Sequence, residues 1–132
     1  MSSFQDIGNF LLYFGVALGF EALFIALYMA VTSHHETTLI KQGNSAAAIS
    51  LGGAVLGFTL PLASVIAHSV SLVDMTLWSA VALLVQLAVY LLVNLLLRDI
   101  SRRIEEGNIA AATTLAVGSL AIGIINAAST TY

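Results

Sequence analysis

The apolar positions of the chain form long continuous runs that charged residues interrupt at only a few places. No charge occurs in 42–73, 75–97 or 107–132, and Glu21 alone interrupts the run of 8–32. About 20 helical residues cross the roughly 30 Å hydrocarbon core of a bilayer, so each run suits one crossing. Barrel strands would instead alternate in polarity over about ten residues. The pattern therefore predicts an all-α integral membrane protein with four transmembrane helices, at about 9–32, 44–68, 74–97 and 108–130.

The composition supports a membrane protein and excludes several other classes. Hydrophobic residues make up 59% of the chain, and charged residues make up only 8%. Soluble domains carry roughly 25% charged residues, and a small soluble fold has too little interior for so many apolar side chains. Only four residues are Lys or Arg, so we expect no nucleic-acid partner. The chain has no cysteine, which excludes disulfides and thiolate metal sites.

The basic residues indicate an orientation, because positively charged loops stay in the cytoplasm. Lys41 lies between the first and second predicted helices, and Arg98, Arg102 and Arg103 lie between the third and fourth. The N-terminus, the turn near Asp74 and the C-terminus carry no basic residue. We therefore expect a multi-pass protein of the bacterial cytoplasmic (inner) membrane with both termini in the periplasm.

The two halves of the sequence resemble each other when Ile40 is aligned with Ile104. An isoleucine, a Gly-Asn pair and a run of three alanines occur in the same order in 40–48 and in 104–112. Such self-similarity is typical of a duplicated structural unit. Each unit contains two helices, so both halves cross the membrane in the same direction, unlike the inverted repeats of many transporters. We predict two parallel-oriented two-helix repeats, in 1–68 and 69–132.

Residues spread over both halves match the pattern of a known family. In the first half they are Tyr28, Thr32, Glu36, Leu39, Ile40, Gly43, Asn44, Ala46, Ala47, Ala48, Gly53, Gly57, Pro61, Leu62 and Ser64. In the second half they are Trp78, Gln86, Leu87, Gly107, Asn108, Ala110, Ala111, Asn126 and Ala127. The whole chain thus resembles the YjfL-like bacterial inner-membrane proteins, a two-repeat family of unknown function. The resemblance implies four transmembrane helices in the cytoplasmic membrane and no established activity.

Glu21 is the sharpest polar feature, because it lies near the middle of the first predicted helix. An ionised carboxylate there costs about 2.5–3.5 kcal/mol on insertion scales, so Glu21 should be protonated, paired or facing water. Gln86 lies at the matching depth of the third helix, where a Glu21–Gln86 hydrogen bond is geometrically feasible. The carboxyl either joins helices as a neutral hydrogen-bonding group or forms a proton or cation site. In the second interpretation the other candidates for the path are Gln86, Asn126, Thr59, Ser64 and His68.

Small residues at helical spacing predict close helix packing. Gly15 and Gly19 form one small-xxx-small pair, and Gly53 and Gly57 form another, which lets neighbouring backbones approach. Pro61 should kink the second helix and free a backbone carbonyl.

Two Gly-Asn corners, Gly43-Asn44 and Gly107-Asn108, precede the second and fourth predicted helices. Asparagine caps helix N-termini, whereas uncapped N–H groups attract anions. Because Lys41, Arg102 and Arg103 lie close in sequence, the corners are candidates for simple capping or for an anionic lipid headgroup.

The remaining sequence features give no sign of catalysis. We find no phosphate-binding loop, esterase elbow or zinc helix motif, so we expect no enzyme and no cofactor. His34, His35 and Glu36 could be metal ligands, but adjacent histidines on one short loop rarely make a closed site without a further partner, so we expect no metal.

The expected function is structural. We predict a small cell-envelope component that self-associates as a homo-oligomer, lies among membrane lipids and binds a cytoplasmic or envelope protein. The alternative is an ion- or proton-linked channel or transporter with a midplane site at Glu21, Gln86 and Asn126.

Overall fold

A computed structural model describes residues 3–32, 35–97 and 99–130. Arg98 and His34, which entered the orientation and metal predictions, lie outside these residues. The described residues form four long helices, α1 (Ser3–Val31), α3 (Ser45–His68), α4 (Leu72–Leu96) and α6 (Ile109–Ser129), and two short ones, α2 (Glu36–Lys41) and α5 (Ile100–Glu105). All four long helices have the length and hydropathy to cross a membrane. The predicted fold class, an all-α membrane protein with four spanning helices, is therefore confirmed.

The observed helices differ from the predicted ones mainly in two respects: α1 begins earlier, and two short helices, α2 and α5, are present as well. α1 begins at Ser3, because no proline interrupts its first turns and Asp6 there complements the helix dipole. The sequence pattern does not predict α2 and α5, since such short helices show too little periodicity. α2 and α5 begin and end at positions that the alignment of Ile40 with Ile104 pairs with each other. We call the end of the bundle that carries α2 and α5 the basic end, and the other end the terminal end.

The centre of the bundle is the contact between α3 and α6, which is more extensive than any other between described helices. A Cβ built on Gly53 would overlap Ala116, and one built on Gly57 would lie 2.6 Å from the Ser119 carbonyl oxygen. The two backbones therefore touch over two helical turns, as small residues allow.

An aromatic ladder joins α1 to the rest of the bundle. The Phe24 ring stacks on Phe58 of α3 at 4.8 Å between ring centroids, and Tyr28 meets Tyr90 of α4 edge-on at 5.6 Å. Apart from Phe24 and Tyr28, only Ala17 is buried among the described residues of α1. Large apolar side chains are exposed on all four long helices, as expected of surfaces that face lipid tails.

Candidate functional site

Gln86 of α4 and Asn126 of α6 form a buried polar pair in the middle of the bundle. The Asn126 amide nitrogen donates to Gln86 Oε1 and to the Ala82 carbonyl oxygen, both at 3.3 Å. Gln86 Nε2 donates in turn to the Ser119 carbonyl oxygen at 3.2 Å. Gln86 is 3% exposed and Asn126 is 8% exposed. Two of the three predicted midplane residues are thus in direct contact.

Glu21 makes a different contact from the one considered with Gln86. The Thr59 hydroxyl of α3 lies 3.1 and 3.0 Å from the two Glu21 carboxylate oxygens, and it also lies 2.8 Å from the Val55 carbonyl oxygen. Glu21 and Thr59 are both half-buried. Since Thr59 belongs to α3 and Gln86 to α4, the carboxyl joins α1 to α3 here rather than α1 to α4.

Ser64 and His68 lie at the terminal end, where α3 and α6 finish. Ser64 Oγ donates to the Ala127 carbonyl oxygen at 2.9 Å, and the Thr130 hydroxyl donates to Ser64 Oγ at 3.3 Å. His68 Nδ1 lies 2.8 Å from the Ser64 carbonyl oxygen. The two contacts of the Ser64 hydroxyl join the last turns of α3 and α6, whereas the His68 contact lies within α3.

The predicted packing residues fall into two groups. Gly53, Gly57 and Pro61 are buried on α3. Gly57 faces both Ser119 and Gln86, since a Cβ there would lie 3.0 Å from Gln86 Nε2. Gly15 and Gly19 are exposed, and nothing lies within 4 Å of a Cβ built on either. The Gly15–Gly19 pair on α1 therefore faces outward, with open space beside it.

The two Gly-Asn corners have nearly identical geometry. Gly43 has φ +83° and Gly107 has φ +81°, a conformation that glycine adopts most readily. Asn44 accepts from the Ala47 N–H at 3.0 Å, and Asn108 accepts from the Ala111 N–H at 3.1 Å. Each asparagine is therefore an N-cap, as one of the two sequence interpretations predicts.

Asn44 also links the two halves of the chain. Its amide nitrogen donates to the Ile104 carbonyl oxygen at 2.9 Å and to the Glu105 carbonyl oxygen at 3.2 Å. Of the nearby basic residues, Arg102 pairs with Asp99 at 3.1 Å, and Lys41 and Arg103 are exposed.

A second polar cluster, at the basic end, was not predicted as a site. It comprises the hydrogen-bonded pairs Thr32–Glu36 and Tyr90–Ser101 together with Tyr28, whose ring meets Tyr90 edge-on, and we call it the Glu36 cluster. The Thr32 hydroxyl donates to Glu36 Oε1 at 2.5 Å, and the Tyr90 and Ser101 hydroxyl oxygens are 2.8 Å apart. Glu36 is only 1% exposed. A carboxyl buried this deeply needs polar partners, and the Thr32 hydroxyl is one of them.

Sequence reasoning missed this cluster because an acid beside two histidines at the end of a span gives no sign of burial. The available signal was the spacing of Tyr28, Thr32 and Glu36 at intervals of four, which would place them on one face of a continuous helix. In the structure α1 ends at Val31 and Glu36 begins α2. Within the described residues, no three His, Cys, Asp or Glu side chains are grouped so that they could hold a metal ion.

Comparison with known proteins identifies relatives over nearly the whole chain. The family described as "Domain of Unknown Function (DUF350)" matches residues 1–130. The chain is 36% identical over 120 residues to the UPF0719 inner membrane protein YjfL of Escherichia coli (strain K12), which covers 91% of each chain. The protein of the same name from Escherichia coli O157:H7 matches to the same extent. No solved structure matches. The chain belongs to the DUF350 family, whose function is unknown.

Proposed function

We propose that this chain is a structural or interaction component of the bacterial inner membrane, without catalytic activity of its own. The observation that carries this proposal is the arrangement of the intramembrane polar groups. Gln86, Asn126, Glu21 and Thr59 each hydrogen-bond to a neighbouring helix. Polar side chains used in this way act as links between helices.

The location rests on the relative and on the charges. The relative with 36% identity is named as an inner membrane protein. Lys41, Arg102 and Arg103 lie at the basic end, which we place in the cytoplasm with both termini in the periplasm. Lipids are then direct neighbours, and the exposed loops of the basic end are the surface for a protein partner.

Duplication of a two-helix unit accounts for the proposed architecture. Three features support it, because each occurs in both halves at positions that the sequence alignment pairs. They are the bounds of α2 and α5, the two left-handed glycines and the two asparagine caps. Two parallel units pack through α3 and α6.

Self-association is proposed to use α1. This helix buries few of its residues against the rest of the bundle, and Gly15 and Gly19 present a small-xxx-small surface with open space beside it. Such surfaces bring membrane helices into close contact. A second copy would cover the thinly packed half of α1.

Crosslinking of the full chain in lipid nanodiscs tests this proposal. Gly15→Leu together with Gly19→Leu should abolish a crosslinked dimer, whereas Gly8→Leu on the same helix should leave it intact, since Gly8 lies outside the pair. A chain that stays monomeric at every protein-to-lipid ratio would count against self-association.

The alternative, an ion- or proton-linked channel or transporter, is favoured by one observation. Glu21 is a half-buried carboxyl in the middle of a span, and membrane carboxyls often serve proton transfer. Proton flux into liposomes that contain the purified chain would support this function, and the flux should fall in Glu21→Gln. Absence of proton flux with the unmodified chain would count against the transport function and favour the structural role.

A further inference from the structure

The two units of the proposed duplication contact each other through different surfaces. In the first unit, Gly53 and Gly57 of α3 face the second unit. In the second unit, Ala116 and Ser119 of α6 face the first. The alignment of the two halves does not pair these two sets of residues with each other. We call the surface that the first unit uses face A and the surface that the second unit uses face B.

Each unit carries the positions of both faces, and the rest of the described chain leaves one example of each face open. In the second unit, the alignment places face A at Val117 and Ala121, and both are exposed. In the first unit, it places face B at Gly52 and Val55, which are half-buried. Nothing lies within 4 Å of a Cβ built on Gly52. Two surfaces whose counterparts fit together inside the chain are therefore available to a partner.

The helices α1 and α4 show the same difference. Ala82 and Gln86 of α4 are buried, and Gln86 Nε2 would lie 3.0 Å from a Cβ built on Gly57 of face A. These two residues of α4 therefore extend face B. The alignment pairs them with Leu18 and Ala22 of α1, which are exposed. The side of α1 that corresponds to the buried side of α4 is thus open.

An apolar groove between α4 and α6 extends the open face A. Its volume is about 360 Å³, and Leu92 and Ile122 are among the residues that line it. The alignment pairs these two with Tyr28 and Phe58 of the first unit, which are buried. There α4 packs against the first unit, since Tyr28 meets Tyr90 edge-on at 5.6 Å between ring centroids. The groove therefore corresponds to a place that the first helix of the next unit covers.

The asparagine caps give an independent observation at the basic end. Asn44 donates across the two units to two carbonyl oxygens of α5. Asn108 caps α6 in the same way but is exposed, and its amide nitrogen donates to no residue that the structure describes. The acceptors that the alignment assigns to it are the carbonyl oxygens of Ile40 and Lys41 in α2. Within one chain those carbonyls belong to the unit on the other side, so a second copy would have to supply them.

We propose that copies of this chain associate head to tail, with the open face A of one copy against the open face B of the next. This inference rests on the duplication and the self-association proposed above, and it names the surface that the Gly15–Gly19 pair contacts. Both glycines share a helical side with Leu18 and Ala22, and that side of α1 covers the groove between α4 and α6 of the next copy. Such contacts between unlike surfaces produce a closed ring or an open chain of copies.

Disulfide crosslinking tests this pairing, because the chain contains no cysteine. Differently tagged chains that carry Gly52→Cys or Val117→Cys are co-expressed and oxidised in the membrane. A disulfide needs Cβ atoms within about 4.5 Å, a condition that the corresponding positions Gly53 and Ala116 meet inside the chain. The mixed disulfide should therefore exceed the disulfide that either variant forms with itself. Leu91→Cys replaces Val117→Cys in the control, since the two side chains are similarly exposed, at 54% and 57%, and Leu91 does not line the groove.

Asn108→Ser supplies a second measurement. Serine keeps the N-cap but lacks the amide, so the dissociation constant of the assembly should rise about tenfold. An unchanged constant would contradict the contact of Asn108 with α2 of the next copy and so overturn the pairing.

Native mass spectrometry of the unmodified chain separates failure of this pairing from failure of self-association. Oligomers without an excess of the mixed disulfide over the Leu91→Cys control would overturn the head-to-tail contact and leave self-association standing. A dominant disulfide between two Gly52→Cys chains would also overturn it, because like surfaces would then meet. Chains that stay monomeric would overturn both proposals.

Discussion

The backbone of Gly57 in α3 lies directly against Gly123 in α6, and its carbonyl oxygen faces that glycine. This is also the carbonyl that Pro61 leaves without a helical partner, because proline four residues later has no N–H to donate. The freed oxygen therefore points into the α3–α6 contact, where a Cα–H group can approach it. Proline and the two glycines together explain why these two helices pack so closely.

Gly123→Ala should destabilise the protein by about 3 kcal/mol, because the added methyl would overlap the Gly57 backbone, which cannot move aside. Reversible unfolding in mixed micelles measures the change. Gly118→Ala is the control on the same helix. Its new methyl would lie 3.9 Å from a Val93 methyl, so higher helix propensity should leave stability equal or raise it by up to about 1 kcal/mol. Similar losses in both variants would refute the close contact.

The Gln86–Asn126 hydrogen bond should appear as an energetic coupling. Gln86→Leu and Asn126→Leu each leave a buried amide partly unpaired, at about 1–2 kcal/mol. The double variant should cost less than the sum by about 1 kcal/mol, as hydrogen bonds between membrane helices do. A double-mutant cycle of unfolding free energies checks this, and strict additivity would show that the two amides act independently.

Thr59→Val should weaken the attachment of α1, because it removes the hydroxyl that contacts both carboxylate oxygens of Glu21. We expect a loss of about 1–2 kcal/mol in the free energy of unfolding. Thr114→Val is matched to it, since Thr114 donates only to the Ala110 carbonyl oxygen of its own helix. Its loss should stay below about 0.5 kcal/mol. If the control loses as much as Thr59→Val, the α1–α3 contact has no special energetic role.

The four spans could be read from the sequence because the bilayer requires long apolar runs, whatever the tertiary packing. The Asn44 and Asn108 caps were also readable, since capping is local chemistry. The partners of Glu21 and Gln86 were not, because they depend on how each helix is rotated about its axis, which one-dimensional spacing does not fix. Glu36 was missed for a related reason, because its burial depends on how α2 packs against the rest of the bundle, and above all on α3.

Asn44→Ala should cost more stability than Asn108→Ala, although the two asparagines cap equivalent helices. Loss of a cap typically costs about 1 kcal/mol. Asn44 also donates to the Ile104 and Glu105 carbonyl oxygens. Asn44→Ala should therefore lower the free energy of unfolding by about 1 kcal/mol more than the cap alone accounts for. Unfolding of the two single variants under identical conditions measures the difference, and equal losses would mean that the link between the halves contributes nothing.

The proposed orientation can be tested directly, because the chain contains no cysteine. Gln42→Cys places a thiol at the exposed basic end, and Ser71→Cys places one in the turn between α3 and α4. With both termini in the periplasm, a membrane-impermeant maleimide added to intact spheroplasts should label Ser71→Cys. It should label Gln42→Cys only after the membrane is permeabilised. The reverse pattern would place the basic end outside, and labelling of both positions in intact spheroplasts would indicate mixed topology. The unmodified chain is the blank, since it offers the reagent no thiol.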